Sequence, residues 1–355
     1  MDRRSRSPLS LLGIVALVAA ACSSPAAATP SPTATAAAPS IDAPSVAPSP
    51  SAKADLGKIT VASGSQTSWQ TYLTAIVPVK LDYFKDEGFS TVDWTFAGND
   101  TNSLAAVVSG QADFAIGAAT DGVLKIASAG EPVYIIGSIS NKLTHMMFGK
   151  NVATLADLKG KTIATDETVG TIDGYIGLAL ESAGLTLDDV TLVRAGGSSE
   201  RYAALENGIV DAAVIGSSVI PRARAAGFNE LYDMTKLYPE YLQRVTIVNK
   251  NFADANPDKV LAFMRATVRA HTWLHDPANV DPLWTILTAH DPQIDQTTYK
   301  ESLALQLAAL PKDPLFTAAG FNLVLDEVKA DAPNVTFDSV VRLDPAKEAI
   351  ASVGG

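Results

Sequence analysis

From Lys58 to Asn249 the chain repeats one phrase: a short β-rich run, a polar turn, an amphipathic stretch and, in most cases, a glycine that stops it. Strands joined through helices lie side by side in a mostly parallel sheet covered by those helices, so this alternation constrains the fold more than any other feature. Lys58–Ala62 (KITVA) reads as a strand. Ser63-Gly64-Ser65-Gln66-Thr67-Ser68 turns into an amphipathic stretch from Trp69 to Glu87, ended by Gly88. Val92–Ala97 alternates as a half-buried strand, and Gly98-Asn99-Asp100-Thr101 turns into a helix over Asn102–Ser109, stopped by Gly110. Ala112–Gly117 reads as strand, Asp121–Ala129 as helix and Val133–Ile139 as strand.

A second set follows. Thr154 caps a short helix and Thr162–Thr165 is a strand. Ile172, Tyr175, Ile176, Ala179, Leu180 and Ala183 then form an apolar stripe at helical spacing. Val190–Val193 is a strand, and Gly196–Ser199 turns into a helix over Glu200–Glu206. Ala212–Ile215 is a strand, Pro221 starts a helix, Leu231-Tyr232 is extended and Arg244–Asn249 is a strand leading out. After Pro257 the chain is largely helical: Val260, Phe263, Met264, Thr267, Val268 and His271 share one face, and further helices run from Ile286 to about Val328. The two sets are joined twice, near 140–149 and 244–250. The expected molecule is α/β and two-lobed, each lobe a mostly parallel sheet flanked by helices. Lobe 1 is residues 55–145 plus 250–355 and lobe 2 is residues 146–248, with two crossing segments between them serving as a hinge.

The segment before this is not fold. Arg3, Arg4 and Arg6 make a basic start, and Leu9–Ala21 is an apolar run of 13 residues followed by Cys22. That is the secretory pattern. Cys22, the only cysteine of the chain, stands directly after Ala19-Ala20-Ala21 and before Ser23-Ser24, as in the lipobox of bacterial lipoproteins, where the cysteine becomes the lipidated N-terminus; the lipobox favours Leu where this chain has Ala19. The other reading is an ordinary secreted protein with a chance cysteine. Of the 32 residues 23–54, 28 are Ala, Pro, Ser or Thr, seven of them Pro, which excludes helix and sheet and leaves little to bury. This is a tether.

Composition removes several classes. The net charge is −11. Residues 1–22 carry three Arg and one Asp, so the remainder stands at −13, without the clustered cations that phosphate contacts need. One cysteine excludes a disulfide framework, a zinc ribbon and a CxxC redox site. No apolar run reaches 18 residues, the length of an ordinary spanning helix.

Several phrases then carry a resemblance: YFKDEGFSTVDWTF, LAAVVSGQADFAIGA, DLKGKTIATDETVGTIDGYIGLALESAGL and ALENGIVDAAVIG. Within them a GxxDxA phrase occurs twice, as Gly110–Ala115 and Gly208–Ala213, and Asp157–Ile163 is a DLKGKxI phrase. In this order, over residues 58–275, the chain resembles the solute-binding proteins of bacterial ABC importers, in the branch for nitrate, sulfonate, taurine and thiamine-pyrimidine precursors. The resemblance implies the two-lobed periplasmic-binding-protein fold with a ligand cleft between the lobes. It implies a lipid-anchored, extracytoplasmic monomer that closes on a small solute and passes it to a membrane permease with its ATPase. It implies no cofactor, no nucleic acid and no membrane contact beyond the anchor.

In open α/β sheets ligands sit past the carboxyl ends of strands, where helix N-termini offer free N–H groups. The loops at those ends supply the candidate ligand-binding residues: Ser63, Ser65, Ser68 and Trp69; Asn99 and Thr101; Ala119, Thr120 and Asp121; Asp166, Thr168 and Thr171; Gly197 and Ser198; and Ser217. Each polar one has an alternative role as a helix cap. Trp69 is a stacking platform for a planar ligand or a cover for the lobe surface. Among these loops only Arg201 brings a cation, so acids and an aromatic favour a planar, hydrogen-bonding vitamin precursor, a pyrimidine or flavin type, over a sulfonate or nitrate anion.

Other chemistries have less support. His271 and His275 (HTWLH) have zinc-helix spacing but lack the Glu of HExxH and are expected on a helix surface. GxSxG, Walker A and GxGxxG are all missing from the sequence. The rival class is an exported hydrolase or lyase on the same scaffold, drawing an acid–base pair from Asp121, Asp166, Glu167 and Asp173; their other role is to cap helices and complement dipoles.

Overall fold

A computed structural model describes residues 54–64, 69–166, 171–290 and 296–354. The expected signal, Cys22 and tether lie outside these residues, as do Ser65, Ser68, Glu167 and Thr168. Trp69 lies on a described helix, but its side chain falls outside the description.

The first α/β set comprises β1 (Gly57–Ser63), α1 (Trp69–Lys80), α2 (Tyr83–Asp86), β2 (Phe89–Phe96), α3 (Asp100–Val108), β3 (Phe114–Ala119), α4 (Thr120–Ser128) and β4 (Val133–Ser140). The second comprises β5 (His145–Gly149), β6 (Thr162–Thr165), α5 (Thr171–Glu181), β7 (Thr191–Arg194), α6 (Ser198–Glu206), β8 (Ala212–Gly216), α7 (Ile220–Ala225) and β9 (Asn229–Asp233). Then come β10 (Arg244–Asn249), α8 (Lys250–Ala255), α9 (Pro257–His275), α10 (Val280–His290), α11 (Gln296–Ala309), α12 (Ala318–Glu327), α13 (Phe337–Val340) and α14 (Asp344–Val353). The stretch expected as one helix from Trp69 to Glu87 is two, broken where Asp82 takes a left-handed φ of 56°.

Two five-stranded sheets result, in the orders β2-β1-β3-β10-β4 and β7-β6-β8-β5-β9. Each is mixed. β1 runs parallel to β2 and β3, whereas β10 is antiparallel to both β3 and β4; β6 runs parallel to β7 and β8, whereas β5 is antiparallel to β8 and β9. In each sheet four strands therefore point one way and one points back. The reversed strands are those that follow a crossing. The parallel strands end where the two sheets face each other, so a chain arriving from the other lobe enters at that edge and must run away from it. β10 lies between β3 and β4 in the first sheet, whereas the sequence places residues 244–248 in the second lobe; β5, which begins the second sheet, matches no strand expected from sequence. The crossing residues are 141–144 and 237–243, and they are laced together: Gln243 N donates to Ser140 O at 2.9 Å and Tyr241 N to Asn141 O at 2.8 Å.

The two GxxDxA phrases build the same joint twice. Asp113 Oδ2 accepts from Thr60 N and Thr60 Oγ1 at 2.8 and 2.9 Å; Asp211 Oδ2 accepts from Thr162 N and Thr162 Oγ1, both at 2.9 Å. Each carboxylate ties the strand it precedes to the first parallel strand of its sheet. Gly110 and Gly208 make the turns beforehand, at φ 74° and 70°, where a side chain would be strained.

The expected apolar stripe of α9 packs on the first sheet. Phe263 stacks on Phe114 with centroids 4.0 Å apart and the planes 4° from parallel, and Phe84 lies 5.3 Å from Phe263 on the other side. Burying one such ring contributes about 1.5–3 kcal/mol. In the second sheet Phe148 and Ile215 meet Tyr202 and Leu205 of α6. Its other face meets Tyr175, Ile176 and Leu180 of α5. The helix α11 touches both halves: Leu303 and Leu310 beside it join the core of α9, while Leu305 packs against the core around Phe148 and Ile220.

Candidate functional site

The facing sheet edges enclose a cavity of about 430 Å3. From the first lobe come Asp100 at the start of α3, Ala119 at the end of β3, Asp121 in α4, and Arg244 at the start of β10. From the second come His145 at the start of β5, Asp166 after β6, Thr171 and Tyr175 of α5, Gly197, Ser198 and Arg201 at the start of α6, Gly216 at the end of β8 and Ser217 just after it. Thr144, Tyr241 and Gln243 come from the crossing chains, and Gln306 from α11.

Seven of the expected residues therefore lie on one wall or another: Ala119, Asp121, Asp166, Thr171, Gly197, Ser198 and Ser217. Four described ones stand elsewhere. Ser63 is fully buried at the end of β1. Asn99 caps α3, its side chain accepting from Asn102 N at 2.8 Å, and Thr101 is exposed in the first turn of that helix. Thr120, one residue from Asp121, is 1% exposed with its Oγ1 unpartnered among the described residues.

The residues not singled out from sequence fall into two kinds. His145 and Arg244 begin the two reversed strands, so each presents its first residue where a parallel strand presents the turn after its last. A search restricted to turns after strands passes over both. Tyr175 was read as part of an apolar stripe, and Gln306 sits on a helix far along the chain that carries no motif.

Two ion pairs flank the cavity. Arg201, 2% exposed, donates from Nη1 to Asp166 and to Gly196 O (2.7 Å), from Nε to Val214 O (2.6 Å) and from Nη2 to Ser198 Oγ (3.1 Å). Burial pushes the Asp166 carboxyl up, while Arg201 pulls it back; burial also lowers Arg201. Arg244 Nη1 reaches Asp100 Oδ2 at 3.0 Å and Gly117 O at 2.6 Å. The cavity thus holds two guanidiniums where the sequence suggested one, and each is engaged by a carboxylate. Behind Asp166, Asp173 accepts from Arg194 at 2.9 and 2.7 Å and from Thr165 Oγ1 at 2.6 Å.

The crossing chains add a fixed polar edge. Gln243 Oε1 accepts from Ser140 Oγ (3.2 Å) and Thr144 Oγ1 (3.1 Å), so its amide nitrogen faces His145 Nδ1 at 3.2 Å. That arrangement assigns the ring proton to Nε2. Burial, then Arg201 and Arg244, hold the His145 pKa down at about 3, so the imidazole is neutral at physiological pH. On another side Tyr175 and Tyr241 meet edge to face at 6.1 Å, and Tyr241 Oη donates to Glu327 Oε2 at 2.5 Å. Burial raises the carboxyl of Glu327 and both phenols.

The lobes touch across the cavity. Thr171 Oγ1 of α5 donates to Asp121 Oδ2 of α4 at 3.1 Å. Gln306 Nε2 of α11 donates to Ser217 Oγ at 2.6 Å, and Glu301 of the same helix pairs with Arg224 of α7. Among the described residues no group of three or more His, Cys, Asp or Glu is placed to hold a metal ion. His271, expected on a helix surface, is a core residue, 0% exposed, its Nδ1 donating to Pro311 O at 3.0 Å.

Comparison with known proteins gives three kinds of match. The family described as NMT1/THI5 like matches residues 70–279. A formylaminopyrimidine-binding protein of Halalkalibacterium halodurans is 25% identical over 242 residues, spanning 65% of this chain and 71% of that one. In shape, the alkanesulfonate-binding protein SsuA of Xanthomonas axonopodis pv. citri, solved with MOPS bound, superposes with a TM-score of 0.61 at 17% identity, over 82% of this chain and 97% of that one. The desulfurization enzyme DSZB superposes with a TM-score of 0.60 at 15% identity, over 83% and 99%. The two-lobed periplasmic-binding-protein fold therefore serves both binding proteins and an enzyme.

Proposed function

We propose a function from one premise: the chain belongs to the NMT1/THI5-like family. It is a solute-binding protein of an ABC importer, held outside the membrane by a lipid on Cys22, taking up a small pyrimidine-type solute between its lobes and handing it to a permease driven by an ATPase. The observation that carries this reading is the polar cavity at the facing ends of two sheets, crossed by hydrogen bonds from one lobe to the other. Closure around a ligand buries it and creates a shape distinct from the open one, which a permease can recognise. The hinge is the pair of crossing segments, 141–144 and 237–243.

The choice of a pyrimidine rests on charge as well as kinship. Asp100, Asp121, Asp166 and Glu200 line the cavity against Arg201 and Arg244, and both guanidiniums are already engaged. The helices α3, α4 and α6 each carry an acid in the first turn, which offsets the positive end of the dipole that an anion would use. Arg201 is engaged through all three of its nitrogens and Arg244 through Nη1, so a sulfonate would compete with carboxylates already in place, whereas a ring with amino groups meets acceptors. The relative from Halalkalibacterium halodurans is named for such a compound.

The enzyme reading is weaker here. Three of the four carboxylates it would use have partners, Asp173 and Asp166 in arginines and Asp121 in Thr171; the fourth, Glu167, lies outside the described residues. The sole cysteine is Cys22, outside the cleft region of the sequence.

Calorimetry on the whole chain with Cys22→Ser, titrated with formylaminopyrimidine, tests the binding reading. Dissociation constants near micromolar, about −8 kcal/mol, suit a receptor. The compound must come back unchanged; turnover on prolonged incubation makes the protein an enzyme. The same substitution tests the anchor. Cys22→Ser moves the protein from the membrane fraction to the soluble one, and an unchanged membrane share removes the lipid from the account.

A further inference from the structure

Arg201 does more than pair with Asp166. It is 2% exposed, and all three of its nitrogens are spent: Nε on Val214 O, Nη1 on Asp166 and on Gly196 O, and Nη2 on Ser198 Oγ at 3.1 Å. The guanidinium is a fixed bracket, and its two terminal nitrogens hold two oxygens of the cavity wall side by side. One belongs to a carboxylate. The Asp166 side chain is 43% exposed, and its second oxygen carries no hydrogen bond among the described residues, so it presents an acceptor to the cavity. The other belongs to a hydroxyl whose sign is settled by its partners. Ser198 Oγ accepts from Arg201 Nη2 and from Gly216 N, the latter at 2.9 Å. A guanidinium and a backbone N–H can only donate, so both lone pairs of the hydroxyl are used and its proton is what remains to offer. No acceptor among the described residues takes that proton, and Ser198 stands half-buried on the cavity wall.

We infer that Ser198 and Asp166, bracketed by Arg201, are the specificity-determining pair of the cleft: a donor beside an acceptor, which together take the edge of a ligand that carries an acceptor next to an N–H, as an aminopyrimidine does with a ring nitrogen and the amino group beside it. This rests on the solute-binding reading above and deepens it by naming the edge the ligand must show and the side chains that read it. A sulfonate or a nitrate can take the Ser198 proton, but it then sets its other oxygens toward the Asp166 carboxylate with no proton between them. A simple ammonium group suits Asp166 and offers nothing to Ser198. A ring with both groups on one edge satisfies the pair.

The experiment is calorimetry on the Cys22→Ser chain, with the pair intact or carrying Ser198→Ala, Ser198→Thr or Asp166→Asn. The probes are formylaminopyrimidine, its deaza analogue with C–H in place of the ring nitrogen beside the exocyclic N–H, and MOPS. With the pair intact, formylaminopyrimidine binds roughly tenfold more tightly than the deaza analogue, the scale of one hydrogen bond. Ser198→Ala binds the two rings alike. Ser198→Thr, which keeps the hydroxyl, keeps the preference. In Asp166→Asn the amide oxygen stays on Arg201 and the amide N–H faces the ligand, so both rings bind more weakly. An intact pair that binds the two rings equally, a Ser198→Ala chain that keeps the preference, or an Asp166→Asn chain as tight as its parent overturns the inference and leaves solute binding in place. So does an intact pair that prefers MOPS to both rings. A parent chain that binds none of the three overturns the solute-binding reading itself. The comparison of the two rings on the intact pair needs no variant, so the inference stays open to failure even where thermal melting shows that Ser198→Ala has lost the fold.

Discussion

Burial at His271 has a consequence that can be measured. The ring is fully buried with Nδ1 bonded to a carbonyl, and burial, with His275 nearby, lowers its pKa to about 4 from an ordinary 6.5. Between those values the unfolded chain takes up a proton that the folded chain refuses, so stability is greatest above pH 6.5 and falls as the pH drops toward 4. The loss approaches about 3 kcal/mol at the bottom of the window, at 1.36 kcal/mol per pKa unit. Urea unfolding from pH 7 to 4 reads it directly: the His271→Gln chain has a shallower slope than wild type, and identical slopes would show that the ring is protonated in the fold. The sequence carried part of this. His271 falls on the apolar stripe of its helix, which is a burial signal, yet HTWLH, with zinc-helix spacing but without the Glu of HExxH, is expected from sequence on a helix surface. Periodicity was the better guide, because it reports the face that packs, whereas spacing reports only that two side chains share a face. The cleft residues divide the same way. Turn residues such as Asp121, Thr171 and Ser198 were legible from strand-then-helix order, while His145 and Arg244 were not, since direction reversal is a property of the assembled sheet.

The paired joints at Thr60–Asp113 and Thr162–Asp211 belong to the scale of elements. Each carboxylate satisfies a backbone N–H and a hydroxyl on a neighbouring strand, and hydrogen bonding from Thr162 holds the Asp211 carboxyl below the usual carboxylate range. Asp113→Asn and Asp211→Asn are each expected to cost about 1–3 kcal/mol, the range for leaving a buried donor poorly met. Chemical denaturation of the two variants checks this, and a cost at one joint only would break the equivalence of the lobes. The repeated phrase was visible in sequence, and its role was not, since nothing local says which strand an aspartate will reach 49 or 53 residues away. β5 shows the complementary limit. Its five residues, HMMFG, are almost wholly apolar and buried, and so short a run has neither alternation nor flanking glycine turns to mark it as a strand.

At the scale of the whole molecule, the closure proposed above is balanced by the contacts that cross the cavity. Thr171 to Asp121 is one of them. Removing it with Thr171→Val shifts the unliganded chain toward the open form, and the ligand must then supply the difference. One such hydrogen bond is worth about 1 kcal/mol, so affinity falls roughly fivefold. Small-angle scattering gives a larger radius of gyration for the unliganded variant and the same one as wild type at saturation. Equal radii without ligand would mean that this contact does not hold the lobes together. The two-lobed plan was legible because alternation, a long helical remainder and two joins leave few arrangements. The position of the second seam was not, because residues 244–249 read equally well as the last strand of one sheet or the inserted strand of the other.

That inserted strand also sets an order of events as the chain emerges N-terminus first. β4 pairs only with β10 in its sheet, and β3 has β10 on its other side, so both present unpaired edges until residue 249 has been made. The second lobe needs only residues 145–233 to complete its five strands. A chain synthesised from its N-terminus therefore finishes the later lobe first, and the earlier one waits through some hundred residues for a single strand to fill its gap. Exposed edges of that kind are where chains pair wrongly with one another. The nascent protein is most in need of a chaperone between the emergence of β4 and the arrival of β10.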